Sequence, residues 1–295
     1  NGREVMMGTC RRSKRLPFLI ALCTSAMLEL SGCETNPYTG RSQLLMSSVS
    51  EEMKMGAQAY SQVKNDPKMK PSQDPREIEP VKRVSARIIE AAKRSKYSKI
   101  ANEFQWEVTV IKDDKTMNAF ALPGGKIAVY TGIFPVAKTE AGLGAVLGHE
   151  VTHALARHGA ERMSQGELTN AALQVAGAAA GVSGVNPLLS QGAMAALGAG
   201  AQVGILLPFS RKHESEADYI GILLAADAGY DPRESVALWQ RMEQMSGGSN
   251  PSEFLSTHPG HGTRIEQLKK AMPEAMAIYQ TKQPAPSAEL PAIGH

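Results

Sequence analysis

His149-Glu150-Val151-Thr152-His153 is the stretch on which the reading of this chain turns. On a helix, four residues rotate the chain by about 400°, which leaves the two imidazoles one turn apart and about 40° out of line. Both can then reach one tetrahedral ion, and zinc is the ion this spacing fits. Glu150 follows the first histidine, where its carboxylate reaches a water at the metal without ligating the ion. Zinc acidifies such a water and polarises a carbonyl. The pattern therefore predicts peptide hydrolysis, with Glu150 as general base and then as general acid to the leaving amine. The segment Gly142-Leu143-Gly144-Ala145-Val146-Leu147-Gly148 precedes the motif. Its glycines cost helix stability but let another backbone or a substrate strand come close. The predicted metal helix runs from about Thr139 to His158.

A catalytic zinc takes a third protein ligand and keeps one position open. His158 lies five residues past His153, about 500° of helical rotation and so about 140° off the ligand face. It is read as a surface or helix-end histidine. Glu214, in Glu214-Ser215-Glu216-Ala217-Asp218, is the better candidate. Glu214 and Asp218 share one helix face, and Glu216 points away. The ligand set is then His149, His153 and Glu214, for one zinc per chain. Asp218 would orient a ligand histidine through its second ring nitrogen. A solvated acidic helix start would carry the same residues. Cysteine ligands are excluded, because Cys10, Cys23 and Cys33 all lie near the beginning.

The 295 residues suit one good-sized domain with extensions, and 42% hydrophobic against 21% charged residues allows a packed core. The formal charge of +3 comes from residues 1–32, which hold five Lys or Arg against two Glu. The remainder is balanced, which gives no reason to expect a nucleic-acid partner. Arg11, Arg12, Lys14 and Arg15 form a basic region ahead of the mainly apolar Leu16 to Leu28, a stretch short for a bilayer span. Leu30-Ser31-Gly32-Cys33 then resembles a bacterial lipoprotein signal, with cleavage before Cys33 and lipidation of that cysteine. An ordinary secretory signal is the alternative. Glu34 after the cysteine, by the same resemblance, favours the outer membrane. The expectation is a signal peptide over 1–32, a lipid-anchored tether over 33–47, and a protein on the periplasmic face of the bacterial outer membrane, touching the membrane through its lipid.

Ser48 and Glu51 are spaced as a capping box and open a helix to about Val63. Asp66 to Pro80 reads as loop. A second helix runs from about Pro80 to Arg94, with Val81, Val84, Ile88 and Ala92 on one face. Trp106, Val108 and Val110 alternate like a half-buried strand, and Asn118 to Leu122 and Lys126 to Tyr130 are two more about Pro123-Gly124-Gly125. Residues 171–207 are rich in Ala and Gly and carry no charge. Weak insertion propensity favours packed helices or a lid there over a membrane hairpin. Helices follow over His213 to Ala226, after Asp231-Pro232, and over Arg264 to Tyr279. A peptidase domain over 48–282 and a flexible tail over 283–295 complete the division. The fold class is α+β: mostly helical, with a small twisted sheet beside the metal helix.

Four segments in order resemble the family of HtpX and the CAAX prenyl endopeptidase: Asn118 to Gly125, His149 to His153, Glu214-x-x-x-Asp218, and Ser256-Thr257-His258-Pro259 with Arg264-Ile265 after it. The resemblance spans about residues 43–280 and is nearest to the periplasmic lipoproteins and the mitochondrial quality-control branch. It implies a zincin fold with a gluzincin-like site. It implies that Asn118, Ala119, Phe120 and Ala121 form an edge strand that pairs with substrate. It implies that His258 lies over the zinc, either donating to the oxyanion or filling the open position, with Arg264 fixing its loop. Of the two roles for His258, the catalytic one is expected. The function that follows is zinc-dependent cleavage of unfolded or misassembled cell-envelope proteins. The rivals are a lipoprotein chaperone that seldom cuts, against which Glu150 argues, and a structural metal protein, which would show a closed four-ligand site.

Overall fold

The computed structural model describes residues 33–179, 209–245, 253–258 and 262–293. Residues 1–32, expected as a signal peptide, and 180–207 of the Ala/Gly-rich region lie outside them. No described helix is long and apolar enough to cross a membrane.

Helix α1 (Val49–Asn65) opens on the predicted capping box: Ser48 accepts from the Glu51 amide, and Glu51 accepts from the Ser48 amide. Helix α2 (Pro75–Arg94) starts earlier than predicted. Asp74 caps the Arg76 amide, and Pro75 occupies the first helical position, where a missing N–H costs nothing. Val81, Val84, Ile88 and Ala92 form its buried face, as their spacing predicts. After the short helix α3 (Ser98–Glu103) come β3 (Glu107–Ile111), β4 (Ala119–Leu122) and β5 (Lys126–Tyr130). β3 pairs parallel with β5, and β4 pairs antiparallel with β5 on its other side. The order β3-β5-β4 leaves β4 at the edge of the sheet. The architecture is α+β and mostly helical, as expected.

The short α4 (Phe134–Ala137) leads into α5 (Glu140–Leu155), which is buried at every position. A helix apolar on nearly all sides belongs at the centre of a domain, and α2, α7 (Arg211–Asp227), α8 (Arg233–Met245) and β4 surround this one. The α5–α7 crossing is close because both helices carry glycine there. A Cβ on Gly148 would stand 2.6 Å from the Gly221 carbonyl oxygen. The short helix α9 (Glu253–Thr257) precedes helix α10 (Arg264–Tyr279), which packs on α7 and α8.

The metal helix does not continue to His158. It ends at Leu155, Arg157 takes a left-handed conformation with φ 56°, and α6 (His158–Ala179) begins a new axis. Arg157 is held there by Glu52 and the Ser47 carbonyl. These contacts offset the cost of a positive φ in a residue with a Cβ.

The two terminal segments are more ordered than a tether and a tail. Residues 33–44 form a hairpin of β1 (Cys33–Thr35) and β2 (Ser42–Leu44), its turn held by Asn36 Oδ1 accepting from the Tyr38 and Thr39 amides. Within residues 283–295, read as a flexible tail, 287–290 run along the start of α5. The Glu140 amide donates to the Ala288 carbonyl and the Leu290 amide to the Lys138 carbonyl. The first amides of a helix lack intrahelical partners, and this extended segment supplies two, the Ala288 carbonyl to Glu140 and the Ser287 hydroxyl to Ala141.

Candidate metal centre

α5 and α7 cross with His149 and His153 facing Glu214, and His258 reaches the same point from the end of α9. One donor atom from each of these four buried residues lies within 4.8 Å of the others. His149 Nε2 stands 3.1 Å from His153 Nε2 and 3.2 Å from His258 Nδ1. The Glu214 carboxylate lies 3.5 Å from His149 Nε2, 3.4 Å from His153 Nε2 and 3.1 Å from His258 Nδ1. Donors about 2.0–2.1 Å from a tetrahedral zinc stand about 3.3 Å from one another, so this spacing fits the ion. Glu214 Oε2 is buried without a hydrogen-bond partner, since Arg264 Nη1, though 2.8 Å away, is out of line. The structure thus joins the predicted ligands His149, His153 and Glu214, and adds His258.

Glu150 lies beside the cluster without joining it. Its Oε1 is buried and lacks a hydrogen-bond partner, 3.4 Å from His258 Nε2. Burial raises its pKa above the usual carboxylate value, while His258, His149 and the Ala121 amide pull it down less. That amide belongs to edge strand β4, so the strand runs directly past the carboxylate. Ala119 and Phe120 are buried in the same strand, and Asn118 is buried just before it.

Asp218 and Arg264 stand behind the ligands, and Arg264, expected to fix the loop of His258, is bound to Asp218. His149 Nδ1 is 3.0 Å from Asp218 Oδ1, leaving Nε2 for the metal. Arg264 donates to both Asp218 oxygens at 2.6 Å and lies over Trp239, its guanidinium carbon 3.5 Å from the ring centre. Burial would raise the Asp218 carboxyl, but Arg264 and His149 outweigh it and hold it low. Burial is likewise outweighed at Glu214, where the histidines keep the carboxylate well below its ordinary range. Phe209 stacks on His153 at 4.0 Å and Phe254 on His258 at 4.6 Å, walling the site.

His158 corrects the sequence reading. It is fully buried, with Nδ1 3.0 Å from His153 Nδ1 and Nε2 3.1 Å from Glu216 Oε2. The 140° estimate assumed a continuous helix, and the break at Arg157 removes that assumption. His213, Glu161, Glu216 and Arg41 were also missed as site residues. A signal was present: His158-Gly159-Ala160-Glu161 and His213-Glu214-Ser215-Glu216 share a His-x-x-Glu spacing, the first following the ligands His149 and His153 and the second spanning the ligand Glu214. The two pairs cross, His158 meeting Glu216 and His213 meeting Glu161.

A mostly helical α+β domain with this donor set defines a metallopeptidase class, and comparison agrees. The pattern of peptidase family M48 matches residues 76–272. The chain is 38% identical over 248 residues to the mitochondrial metalloendopeptidase OMA1 of Schizosaccharomyces pombe, covering 83% of this chain and 68% of that protein. It is 33% identical over 254 residues to the Saccharomyces cerevisiae protein of the same name, covering 83% and 70%. The beta-barrel assembly-enhancing protease of Escherichia coli O157:H7 is 28% identical over 239 residues, covering 80% and 47%. The chain belongs to peptidase family M48. It is a metalloendopeptidase, and zinc is its cofactor. The bacterial-envelope location expected from residues 1–34 is overturned, because the more similar relatives are mitochondrial proteins of fission yeast and budding yeast. Lipidation of Cys33, which depends on that location, loses its ground.

Proposed function

We propose that the chain is a zinc endopeptidase of the branch that includes the mitochondrial metalloendopeptidases, cutting unfolded or misassembled proteins held in extended form. The observation that carries this reading is β4: a sheet edge whose Ala121 amide meets the Glu150 carboxylate beside the donor cluster. A substrate strand laid along that edge gains backbone hydrogen bonds with little demand on its sequence. Its scissile bond then passes the metal. Zinc, when bound, polarises the carbonyl and acidifies the attacking water. Glu150, poised without a strong partner for Oε1, takes the proton of that water and returns it to the leaving amine. Asp218 and Arg264 keep His149 in its ligating orientation. The four-donor cluster is what a structural metal site would show. Glu150 supports the enzymatic reading, since a purely structural site has no use for a buried carboxylate beside its ligands.

The test is cleavage of unfolded casein by the purified chain, with zinc content measured in parallel. Glu150→Gln should keep its zinc and lose about 10²–10⁴-fold in rate. His153→Ala should lose both metal and activity. A Glu150→Gln protein that cleaves at the unsubstituted rate removes Glu150 from the chemistry. Full zinc in His153→Ala removes His153 from the ligand set.

A further inference from the structure

We propose that His158 is a positioning residue for the metal: with Glu216 and Arg41 behind it, it fixes His153 in the tautomer that leaves Nε2 free for zinc. The inference rests on the reading of His153 as a ligand.

The order of protons follows from the geometry. His153 Nε2 faces the other donors, 3.1 Å from His149 Nε2. A neutral imidazole carries one N–H, so a ring that gives Nε2 to a metal has its proton on Nδ1. That nitrogen is 3.0 Å from His158 Nδ1. A hydrogen bond between two ring nitrogens needs one donor and one acceptor, so His158 Nδ1 is bare. The His158 proton then sits on Nε2, 3.1 Å from Glu216 Oε2, which as a carboxylate only accepts. Every member is thereby assigned: His153 donates to His158, and His158 donates to Glu216.

The far end of the relay is charged and braced. Arg41 donates to Glu216 from Nε at 2.9 Å and Nη2 at 2.7 Å, and the Thr39 hydroxyl donates to the other oxygen. Arg41 also forks onto Glu161 at 2.6 and 2.7 Å. Glu161 accepts from Gln43 at 3.0 Å and lies 3.1 Å from His213 Nε2. The His213 ring stacks on His158 at 4.5 Å with 17° between planes, which fixes the plane of the relaying ring. The two zinc-helix histidines are therefore oriented differently. His149 meets a carboxylate directly in Asp218, whereas His153 meets one through a second imidazole. The break at Arg157 makes this possible, because a continuous helix would carry His158 away from His153. It also gives the β1–β2 hairpin, which supplies Arg41 and Thr39, a part in holding the metal.

Partners that orient a ligand histidine typically contribute about 10–100-fold in metal affinity. Two variants of the full chain test the relay by chelator competition for zinc. His158→Phe keeps a ring but no nitrogen, and its zinc affinity should fall by about 10–100-fold. His158→Gln can accept from His153 and donate to Glu216, so it should recover most of the loss. An unchanged affinity in His158→Phe overturns the proposal. A His158→Gln as weak as His158→Phe overturns it as well, since packing alone would then explain both. Should His158→Phe fail to fold, long-range proton–nitrogen NMR of the zinc-loaded unsubstituted chain decides. The expected spectrum has His158 protonated at Nε2 and His153 at Nδ1; a proton on His158 Nδ1 refutes the relay. His153→Ala run alongside separates the two failures: if it binds zinc normally, the ligand assignment fails and the relay with it.

Discussion

Arg264 is shared between Glu214, a metal ligand, and Asp218, the partner of the ligand His149. Its guanidinium binds Asp218 through two hydrogen bonds, lies 2.8 Å from Glu214, and is 2% exposed. Removing a buried cation leaves two carboxylates with less compensation, and losing one partner of such a network costs about 3–5 kcal/mol. Arg264→Met, which keeps much of the packing on Trp239, should therefore unfold at lower urea by about that amount. A loss under about 1 kcal/mol would mean the ion pairs contribute nothing net. His258 poses a question of sign. Its Nδ1 lies among the donors at 3.1 and 3.2 Å, the spacing of the ligands themselves, and its Nε2 is 3.4 Å from Glu150. Sequence reasoning expected catalytic loss from its removal. The position favours a ring that caps the metal and crowds Glu150, so His258→Ala should raise the rate of peptide cleavage at matched zinc content. A fall of about 10²–10³ would instead restore the oxyanion role, and no change would make it a turn residue.

Among the elements, the α5–α7 crossing decides whether the donors meet. A Cβ at Gly221 would stand 2.8 Å from the His149 amide nitrogen and 2.9 Å from the Gly148 carbonyl carbon, and backbone cannot step aside as a side chain can. Gly221→Ala should therefore push α7 off α5 and cost about 1–3 kcal/mol, as overpacking does. Because α7 carries both Glu214 and Asp218, zinc affinity should fall with stability. A variant with unaltered unfolding and unaltered zinc affinity would show that the crossing has slack. This crossing also marks how far the sequence could be read. The four-residue spacing of His149 and His153, the face shared by Glu214 and Asp218, and the capping box at Ser48 are local patterns, and each was legible. The partner of Gly148 was not, since nothing in the metal segment says which backbone will approach. Nor was the helix break, because Arg157 adopts φ 56° only for contacts with Glu52 and Ser47, about a hundred residues earlier in the chain. His158 was misplaced for that reason alone. The course of residues 283–293 was hidden in the same way: their prolines suggest a tail until the unpaired amides of α5 are known to lie beside them.

At the scale of the whole molecule, the ends of the described chain are tied to its centre by charge and backbone. The segment 285–290 bonds to Gly229, Lys138 and Glu140, and the β1–β2 hairpin inserts Arg41 between α6 and α7. The Arg41 cluster makes stability depend on pH with a defined sign. Burial raises Glu216, but His158, Arg41 and Thr39 outweigh it, and its pKa falls from 4.5 to about 2. Glu161 is held lower still, burial being outweighed there by His213, Arg41 and Gln43. Burial also depresses His158, from 6.5 to about 4. All three shifts are downward, so these three groups bind fewer protons in the folded state than in the unfolded state, and the stability they contribute falls as pH falls. The histidine contribution is complete above about 6.5 and is lost towards about 4; the carboxylate contribution is complete above about 4.5 and is lost towards about 2. Arg41 sustains the carboxylate part. Arg41→Met should thus be clearly less stable than the unsubstituted chain at neutral pH, and the gap should narrow as pH falls from about 4.5 towards about 2, where the unsubstituted chain protonates Glu216 in the folded state. Urea unfolding of chelator-treated protein across that range keeps zinc release out of the comparison. A gap that stays constant with pH would mean Arg41 contributes by packing its stem, with no electrostatic hold on the two carboxylates.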